Sequence, residues 1–272
     1  MPNDQPGDGR TPGVDVGRAN AARMYDYMLG GAHNLEVDRE QVRALLASNP
    51  DAPAAARANR AFLFRVVTWC LEHGIGQFLD LGSGVPTVGN VHEIAHRRNT
   101  GARIAYVDLE PVAVAHAREL LVDTPLATVT RADLRDHEAV LTAPGVAGLL
   151  DFTRPVALLA VAVLHFVPGD AAPVIAAYRG ALTTGSVAAI SHVSTELREP
   201  AQSTQSEDRA STGERAYRTS ATPLTLRAPT QIRELLTGFD LLDPGLVDVT
   251  DWPDPTPDTP TADIHGCLAV LP

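Results

Sequence analysis

From residue 77 onward, short apolar runs alternate with stretches of helical periodicity. The apolar runs are continuous rather than alternating, which is typical of strands buried on both faces of a parallel sheet. The stretches between them are long enough for helical crossovers. The pattern predicts strands at 77–80, 104–108, 127–130, 156–162 and 186–193, and helices near 88–98, 111–121, 136–150 and 170–182.

The first 74 residues have a different pattern. Residues 1–17 contain three prolines, four glycines and little to bury, so we expect a disordered tail. Residues 18–74 are expected to form a helical arm. It begins with a short helix that stops at Gly30 and continues with a longer helix that ends at Gly74.

The pattern changes again after the predicted core at 75–195. Residues 196–222 are expected to form a flexible flap, because 196–220 carry nine charged side chains and few apolar ones. The last part, 223–272, predicts a helix near 230–237 and strands at 246–249 and 265–270. The linker 251–263, with four prolines and four aspartates, is too short for a helical crossover, so this strand pair should be antiparallel. We expect one domain over 18–272.

Charge and composition exclude several classes of function. The chain has 272 residues, and its 22 basic residues, all arginine, face 33 acidic ones, for a formal net charge of −11. The absence of lysine excludes lysine Schiff bases and a P-loop lysine. The negative charge repels polyanions, so nucleic acid is not an expected partner.

The cysteines and the lengths of the apolar runs indicate where in the cell the protein is located. Cys70 and Cys267 lack Cys-x-x-Cys spacing and are expected to be reduced core residues. Residues 1–17 have no apolar segment typical of a secretory signal, and the longest apolar run, 156–164, is too short to span a membrane. We therefore expect a soluble cytoplasmic protein without membrane contact.

The most informative motif follows the first strand, where Asp80 precedes Gly82, Ser83 and Gly84. Glycines at a strand-to-helix turn let a ligand approach the backbone closely. A carboxylate there would repel a pyrophosphate and attract an ammonium group. The turn therefore favours a ligand that carries a cation, and the alternative is a tight turn with no ligand.

Two further acids follow the next two predicted strands. Asp108 ends the second strand, 24 residues after Gly84, where an acid accepts hydrogen bonds from ribose hydroxyls in nucleotide-binding folds; Glu110 is a substitute. Asp133 follows the third strand, where a carboxylate can accept a hydrogen bond from an exocyclic amine such as that of adenine. Three acids at successive strand ends predict one crevice.

These motifs resemble the class I S-adenosylmethionine-dependent methyltransferases. The segments ARMYDYMLGGAHNLEVDRE, QFLDLGSGVPTVGNVHEIA and ALLAVAVLHFVPGD are moreover similar to an actinobacterial methyltransferase family long described as a domain of unknown function. The resemblance implies a Rossmann-like α/β three-layer sandwich with a seven-stranded, mostly parallel sheet, an antiparallel last strand and the N-terminal helical arm. It also implies S-adenosyl-L-methionine as cofactor and methyl transfer as activity.

The resemblance assigns further residues to the cofactor. It adds Leu109 to the cofactor-binding residues and places Leu134 with Asp133 at the adenine, and Ala160 near the adenine ring and the transferred methyl group. In the arm, Tyr27 is expected to cap the methionine end of the cofactor. The neighbouring Tyr25, Gly30, Gly31 and Asn34 are expected to do the same or to shape the acceptor pocket, and a hydrophobic staple is the alternative.

One departure from the wider class is Pro86, which stands where many members have a third glycine. A dinucleotide fingerprint would instead need its third glycine at position 87, which is Thr87. An NAD(P)-dependent oxidoreductase is therefore the second hypothesis, and a non-catalytic sensor of S-adenosylmethionine is the third.

Candidate catalytic groups are few. His165, after the fourth strand, is the candidate general base, and its alternative is a histidine held by backbone groups. Ser191 and His192, at the end of the fifth strand, are expected to face the same crevice. The other histidines lack metal-ligand spacing, so no metal site is predicted. Arg60 is expected to hold the arm through Asp26 or Asp38.

The sequence thus predicts methyl transfer from S-adenosyl-L-methionine to a small-molecule acceptor. The acidic surface, the apolar arm and the flap favour a small cationic or apolar metabolite over RNA or DNA. A homodimer is among the expectations. The identity of the acceptor and its reacting atom are not encoded in any motif recognised in the chain.

Overall fold

One sheet organises the chain, for which a computed structural model describes residues 13–196, 217–218, 220–255 and 260–272. The strand order is β3-β2-β1-β4-β5-β8-β6, with β7 paired to β8; β1 to β5 are parallel, and β8 runs antiparallel to its neighbours. The strands are β1 (Gln77–Leu81), β2 (Arg103–Asp108), β3 (Ala127–Arg131), β4 (Ala157–Val161), β5 (Val187–Val193), β6 (Asp240–Leu241), β7 (Val247–Asp248) and β8 (Ile264–Val270).

Helices precede the sheet and connect its strands. They are α1 (Ala21–Met28), α2 (Glu36–Leu46), α3 (Ala52–Glu72), α4 (Val91–His96), α5 (Pro111–Leu120), α6 (His137–Thr142), α7 (Pro144–Ala147), α8 (Ala172–Arg179) and α9 (Pro229–Glu234), with a 3-10 turn at Leu164–Phe166. Gly74 ends α3 with φ of +79°, and the amide of Ile75 closes the cap on the carbonyl oxygen of Cys70 at 2.8 Å.

The predicted mostly parallel sheet with an antiparallel last strand is confirmed, although the described residues form eight strands and not seven. Three local predictions need correction. The strand β6 escaped prediction because two residues carry no periodicity. The helix expected over 136–150 is divided into α6 and α7 at Pro144, which lacks the amide hydrogen that a continuous helix needs. The arm also contains α2, a separate helix that the sequence interpretation did not resolve.

Helices cover both faces of the sheet. Apolar residues of α3 and α4, among them Phe62 and Ile94, pack on one face with the fully buried Phe78. Residues of α7, α8 and α9, among them Ile175 and Ile232, pack on the other. Helix α3 therefore belongs to a layer of the sandwich, although the prediction placed it in the arm. Cys70 and Cys267 are buried and unbonded, and burial raises the pKa of both thiols to about 12.

A buried ion-pair network fixes α1 and α2 against the sheet. The Arg23 side chain is 1% exposed; its Nε donates to Asp38 Oδ2 at 2.7 Å and its Nη1 to Glu110 Oε1 at 2.8 Å. The Asp38 carboxylate also accepts the amides of Asn20 and Leu35. Because a buried charge is stable only when it is paired, this network determines where the arm sits.

The predicted tail and flap lie largely outside the described residues, because positions 1–12, 197–216 and 219 are among those omitted. Residues 220–227 lie along the end of β5, where the amide of Thr195 donates to the carbonyl oxygen of Arg227 at 3.1 Å. Two contacts join this segment to the arm: Arg18 Nη2 donates to the Ser220 carbonyl oxygen at 2.6 Å, and the Ala21 amide donates to Thr222 Oγ1 at 2.8 Å.

Replacing Arg23 with alanine should lower the free energy of unfolding by about 3–5 kcal/mol, because it leaves two carboxylates buried without their cation. Urea denaturation measures this loss. The control is Arg43→Ala, which removes a 2.9 Å ion pair to Glu36 between exposed side chains and should cost less than about 1 kcal/mol. Equal losses in the two variants would contradict the assigned role of the network.

Candidate cofactor and acceptor cavity

A cavity of about 650 Å³ opens where the parallel strands end, between the sheet and the arm. This is the edge at which open α/β sheets bind ligands, and the volume is typical of a small-molecule site. Of the predicted site residues, nine line it: Asp80, Gly82, Ser83, Gly84, Asp108, Leu109, Asp133, Leu134 and His165. Tyr27 and Ala160 do not line it.

The glycine turn is shaped to leave room at the cavity. Gly82 and Gly84 have φ of +66° and +69°, in the left-handed region that favours glycine. A Cβ at Gly82 would overlap the Val163 side chain, whereas a Cβ at Gly84 would meet no protein atom within 4 Å. The free space beside Gly84, which lines the cavity, is the space that a closely bound ligand would use.

Asp108 lies at the end of β2 and organises the turn. Its Oδ2 accepts the Gly84 amide at 2.6 Å, and its Oδ1 accepts the Glu110 amide at 2.8 Å. A carboxylate offers about four acceptor positions, so two remain for ligand hydroxyls. Glu110 also lines the cavity, but one oxygen of its carboxylate is paired with Arg23, so it is less available to a ligand than Asp108.

Asp80, at the end of β1, is the most perturbed acid of the cavity. Burial raises its pKa to about 7; the nearby Arg60 guanidinium lowers this pKa, and the Asp108 carboxylate raises it further. Ionising such a group is costly until a cation lies next to it. The residue is therefore prepared to receive a positively charged ligand group.

Asp133 follows β3 and holds a less buried carboxylate. Its oxygens accept hydrogen bonds from Arg135 Nε at 2.9 and 3.0 Å, and this side-chain pairing lowers the pKa of Asp133. Next to it, the carbonyl oxygen of Leu134 accepts the Tyr178 hydroxyl at 2.8 Å. Asp133 is therefore ionised and fixed in direction at the β3 end of the cavity.

His165 lies in the 3-10 turn after β4 and is 4% exposed. Burial lowers its pKa well below the usual value, and the neighbouring His192 and Arg227 lower it further. Its Nδ1 accepts the Val193 amide at 3.4 Å. A neutral, weakly basic imidazole is a poor general base, so these surroundings favour the alternative of a histidine held by backbone groups.

An arginine that the sequence interpretation missed fixes the turn around His165. The buried Arg227 guanidinium donates to the carbonyl oxygens of Leu164, Val167 and Gly169 at 2.9, 2.9 and 2.6 Å, and to His192 Nε2 at 2.8 Å. Ser191 and His192, expected in the crevice, are fully buried behind it and do not line it.

Two cofactor assignments based on resemblance are not supported by position. Side chains alternate across a strand, and at the end of β4 it is Val161 that lines the cavity, whereas Ala160 packs in the core on the α8 side. In α1, Tyr25 lines the cavity, whereas Tyr27 does not line it and packs against the apolar cluster around Met24.

The glycine pair and Asn34 shape the arm rather than the cavity. Asp26 Oδ2 accepts the His33 amide at 2.9 Å and Asn34 Nδ2 at 2.8 Å, and a Cβ at Gly31 would overlap this carboxylate. Gly30, with φ of +82°, reverses the chain after α1. None of Gly30, Gly31 and Asn34 lines the cavity.

Arg60 does not pair with Asp26 or Asp38, contrary to the prediction. Its Nη2 donates to the carbonyl oxygens of Val88 and Gly89 at 2.8 Å each, and its Nε is buried without a partner among the described residues. The expected partner Asp38 is occupied by Arg23 instead. Arg60 lines the cavity together with Asp80.

A chain of hydrogen bonds crosses from the arm to the strand ends. The Ala162 amide donates to Ser191 Oγ at 2.9 Å, which donates to Asn59 Oδ1 at 2.6 Å; Asn59 Nδ2 donates to the Tyr25 hydroxyl at 3.0 Å. Ala162, which lines the cavity, has φ of +55°, a strained conformation for alanine that such contacts maintain.

This fold and the acids at its strand ends define the class as that of the class I methyltransferases. A family profile described as S-adenosyl methyltransferase matches residues 8–271, nearly the whole chain. The chain belongs to this family, and S-adenosyl-L-methionine is its cofactor.

Solved structures agree with the family. A candidate methyltransferase from Thermobifida fusca is 33% identical, with 96% of this chain and 97% of that chain covered and a TM-score of 0.85. A DUF574 family protein from Streptomyces avermitilis is also 33% identical, with 95% and 99% covered and a TM-score of 0.87. A protein from Bordetella parapertussis, 16% identical with a TM-score of 0.59 over 94% of this chain and 80% of that chain, shares the fold. The curated proteins contain no match.

Within the described residues, no helix combines the length and the hydrophobicity that a membrane span requires. In the same part of the chain, no three histidine, cysteine or acidic side chains are grouped so that they could hold a metal ion.

Replacing Asp80 with asparagine should stabilise the protein at high pH. The folded pKa of about 7 exceeds the unfolded reference of 3.8, so burial of Asp80 lowers stability as pH rises from about 4 to 7. The midpoint temperature of unfolding of Asp80→Asn should therefore rise relative to that of the wild type between pH 4 and 7, and the difference should then stay constant. Thermal unfolding measures it, with the exposed Asp123→Asn as control. Parallel pH profiles for wild type and Asp80→Asn would contradict the assigned pKa.

Proposed function

We propose that this methyltransferase transfers the methyl group of S-adenosyl-L-methionine to a small-molecule acceptor bound in the same cavity. The observation that carries the proposal is the continuity of one cavity from the acids at the strand ends to the apolar side chains of the arm. Cofactor and acceptor would then meet inside the protein, away from water.

The strand-end residues fit the cofactor from one end to the other. In this proposal Asp80 faces its ammonium group, Gly82, Ser83 and Gly84 leave room for its methionine portion, and Asp108 and Leu109 hold the ribose. Asp133 and Leu134 hold the adenine. The free space beside Gly84 and the two unused acceptor positions of Asp108 support this assignment.

The protein's contribution to the reaction is orientation and exclusion of water. The cofactor supplies an electrophilic methyl group on a sulfonium, so no covalent enzyme intermediate is required. Asn59 and Ser191 hold Ala162 at the cavity, and two hydrogen bonds fix residues 220–222 against the arm. Fixed geometry of this kind accelerates a bimolecular transfer without a strong base.

The size of the cavity also supports a small acceptor. Its volume of about 650 Å³ is typical of sites that hold small molecules, and the cofactor takes part of it. The net charge of −11 disfavours RNA and DNA further. A cytoplasmic location and a homodimer stay predictions.

The test is methyl transfer from radiolabelled S-adenosylmethionine to a fractionated small-molecule extract and, separately, to total RNA. We expect catalytic labelling of a small-molecule fraction and its loss in Asp80→Asn, with Asp123→Asn as the matched control that keeps it. Labelling confined to RNA would overturn the proposal. Only stoichiometric traces with every acceptor would favour the sensor hypothesis instead.

Arg60 supplies a charge that the strand-end acids do not. The amino-acid end of the cofactor carries both an ammonium and a carboxylate, and Asp80 can neutralise only the first. Arg60 lines the same cavity and has a buried Nε without a partner among the described residues. We assign the Arg60 guanidinium to the cofactor carboxylate.

Replacing Arg60 with glutamine should weaken binding of S-adenosylhomocysteine by about tenfold or more and leave binding of 5′-methylthioadenosine, which lacks the amino-acid end, unchanged. Calorimetric titration with both compounds measures the difference. Arg135→Gln is the control: Arg135 holds Asp133 at the adenine end and its loss should weaken both ligands alike. Equal weakening of both ligands by Arg60→Gln would refute the assignment.

A further inference from the structure

One side of the cavity is formed by a continuous apolar surface, here called the apolar wall. Its residues come from α1, α2, α3, the 3-10 turn and positions 217 and 224, and they pack together in a single cluster. The wall consists of Met28, Leu45, Ala52, Phe166, Tyr217 and Leu224, all of which line the cavity. Phe166 and Tyr217 are in ring contact, with centroids 5.4 Å apart.

Two polar side chains beside the apolar wall, those of Tyr25 and Asn59, are uncharged and already paired. The Tyr25 hydroxyl donates to the Ala56 carbonyl oxygen at 2.9 Å and accepts Asn59 Nδ2, and burial raises the pKa of Tyr25. Asn59 is buried and accepts Ser191 Oγ. A ligand against this wall would therefore meet neutral hydrogen-bonding groups.

Charged side chains also line the cavity, although none belongs to the wall itself. Arg60 lies in α3, the helix that contributes Ala52 to the wall, and is assigned to the cofactor carboxylate. Asp15, Glu110, Arg131 and Arg135 line the cavity as well. Asp80, Asp108 and Asp133 stand at strand ends and are assigned to the cofactor. Asp263 lies just before β8, and its backbone amide donates a hydrogen bond to the Asp248 carboxylate at 3.0 Å. The apolar wall itself contains no ionisable group except the Tyr217 hydroxyl, whose pKa burial raises. A charged ligand group there would be desolvated without a partner, which is costly.

The chain's own segment 197–216 is a poor chemical match for this wall. Its sequence holds seven charged side chains, one leucine and three alanines. Burying those charges against apolar carbon would be unfavourable. The composition therefore favours an external ligand as the occupant.

We propose that the apolar wall binds the body of an uncharged, largely apolar acceptor, so that this enzyme methylates a neutral hydrophobic small molecule rather than a charged metabolite. The inference rests on the proposed function, because it takes the wall as the acceptor side of the cavity. It deepens that function by selecting the apolar alternative over the cationic one.

Three naphthalene probes of one shape test the inference: 2-naphthol, 2-naphthoate and 2-(aminomethyl)naphthalene as its ammonium. Their affinities are measured by calorimetry at pH 7.5 on the full chain saturated with S-adenosylhomocysteine. We expect 2-naphthol to bind at least tenfold more tightly than either charged probe. Equal or tighter binding of a charged probe, or no binding of any probe, would overturn the inference.

A charge placed in the wall should reverse the preference. Leu224→Arg is expected to weaken 2-naphthol at least tenfold and to strengthen 2-naphthoate, whereas Val122→Arg, at an exposed site outside the cavity, should change neither. Unchanged selectivity in a folded Leu224→Arg protein would count against the wall as the binding surface.

Titration with S-adenosylhomocysteine in each sample separates the two failures. If it does not bind, the proposed function fails. If it binds and the probes show no preference for the neutral member, only the inference on the acceptor fails.

Discussion

The position of the arm depends on one buried cation. Arg23 is almost fully enclosed, and its guanidinium is satisfied only if Asp38 of the arm and Glu110 of the sheet edge approach it together. Arg23 Nη2 also donates a hydrogen bond to the carbonyl oxygen of Arg18 at 2.7 Å. Because an unpaired buried charge is costly, alternative placements of the arm are strongly disfavoured. The cavity exists in its present shape because the arm is held there.

Burial in the same region also changes the pKa of the acids at the strand ends. Parallel strands bring Asp80 and Asp108 to one edge, where burial raises the pKa of each. Asp108 recovers much of its lost solvation from two backbone amides, and Asp80 is left for a ligand cation. A neutral apolar wall lines the same cavity, which therefore combines buried acids with an uncharged surface.

Much of this arrangement was predictable, because parallel strands and the turns after them are local in sequence. The apolar runs and the motif from Asp80 to Gly84 were sufficient for the sheet and for the strand-end acids. Orientation was harder: Val161 lines the cavity and Ala160 does not, and a shift of one residue along a strand moves a side chain to the opposite face.

What could not be predicted are the pairings between distant residues. Arg23 meets Glu110 across 87 positions, and Arg227 meets Leu164 across 63; no spacing rule connects such residues. The prediction for Arg60 failed for the same reason, since Asp38 was already taken by Arg23. Likewise, β6 is recognised only by its pairing with β8, because a strand of two residues shows no periodicity of apolar and polar positions.

The most direct test of the account is the pH dependence of S-adenosylhomocysteine binding, measured by calorimetry on the wild-type protein between pH 6 and 8. Ionised Asp80 attracts the ligand's ammonium group and protonated Asp80 does not, so affinity should rise through pH 7, near the pKa of the free carboxyl, and then level off. One molecule should bind per chain. Absence of binding, or an affinity that does not change over this range, would contradict the account.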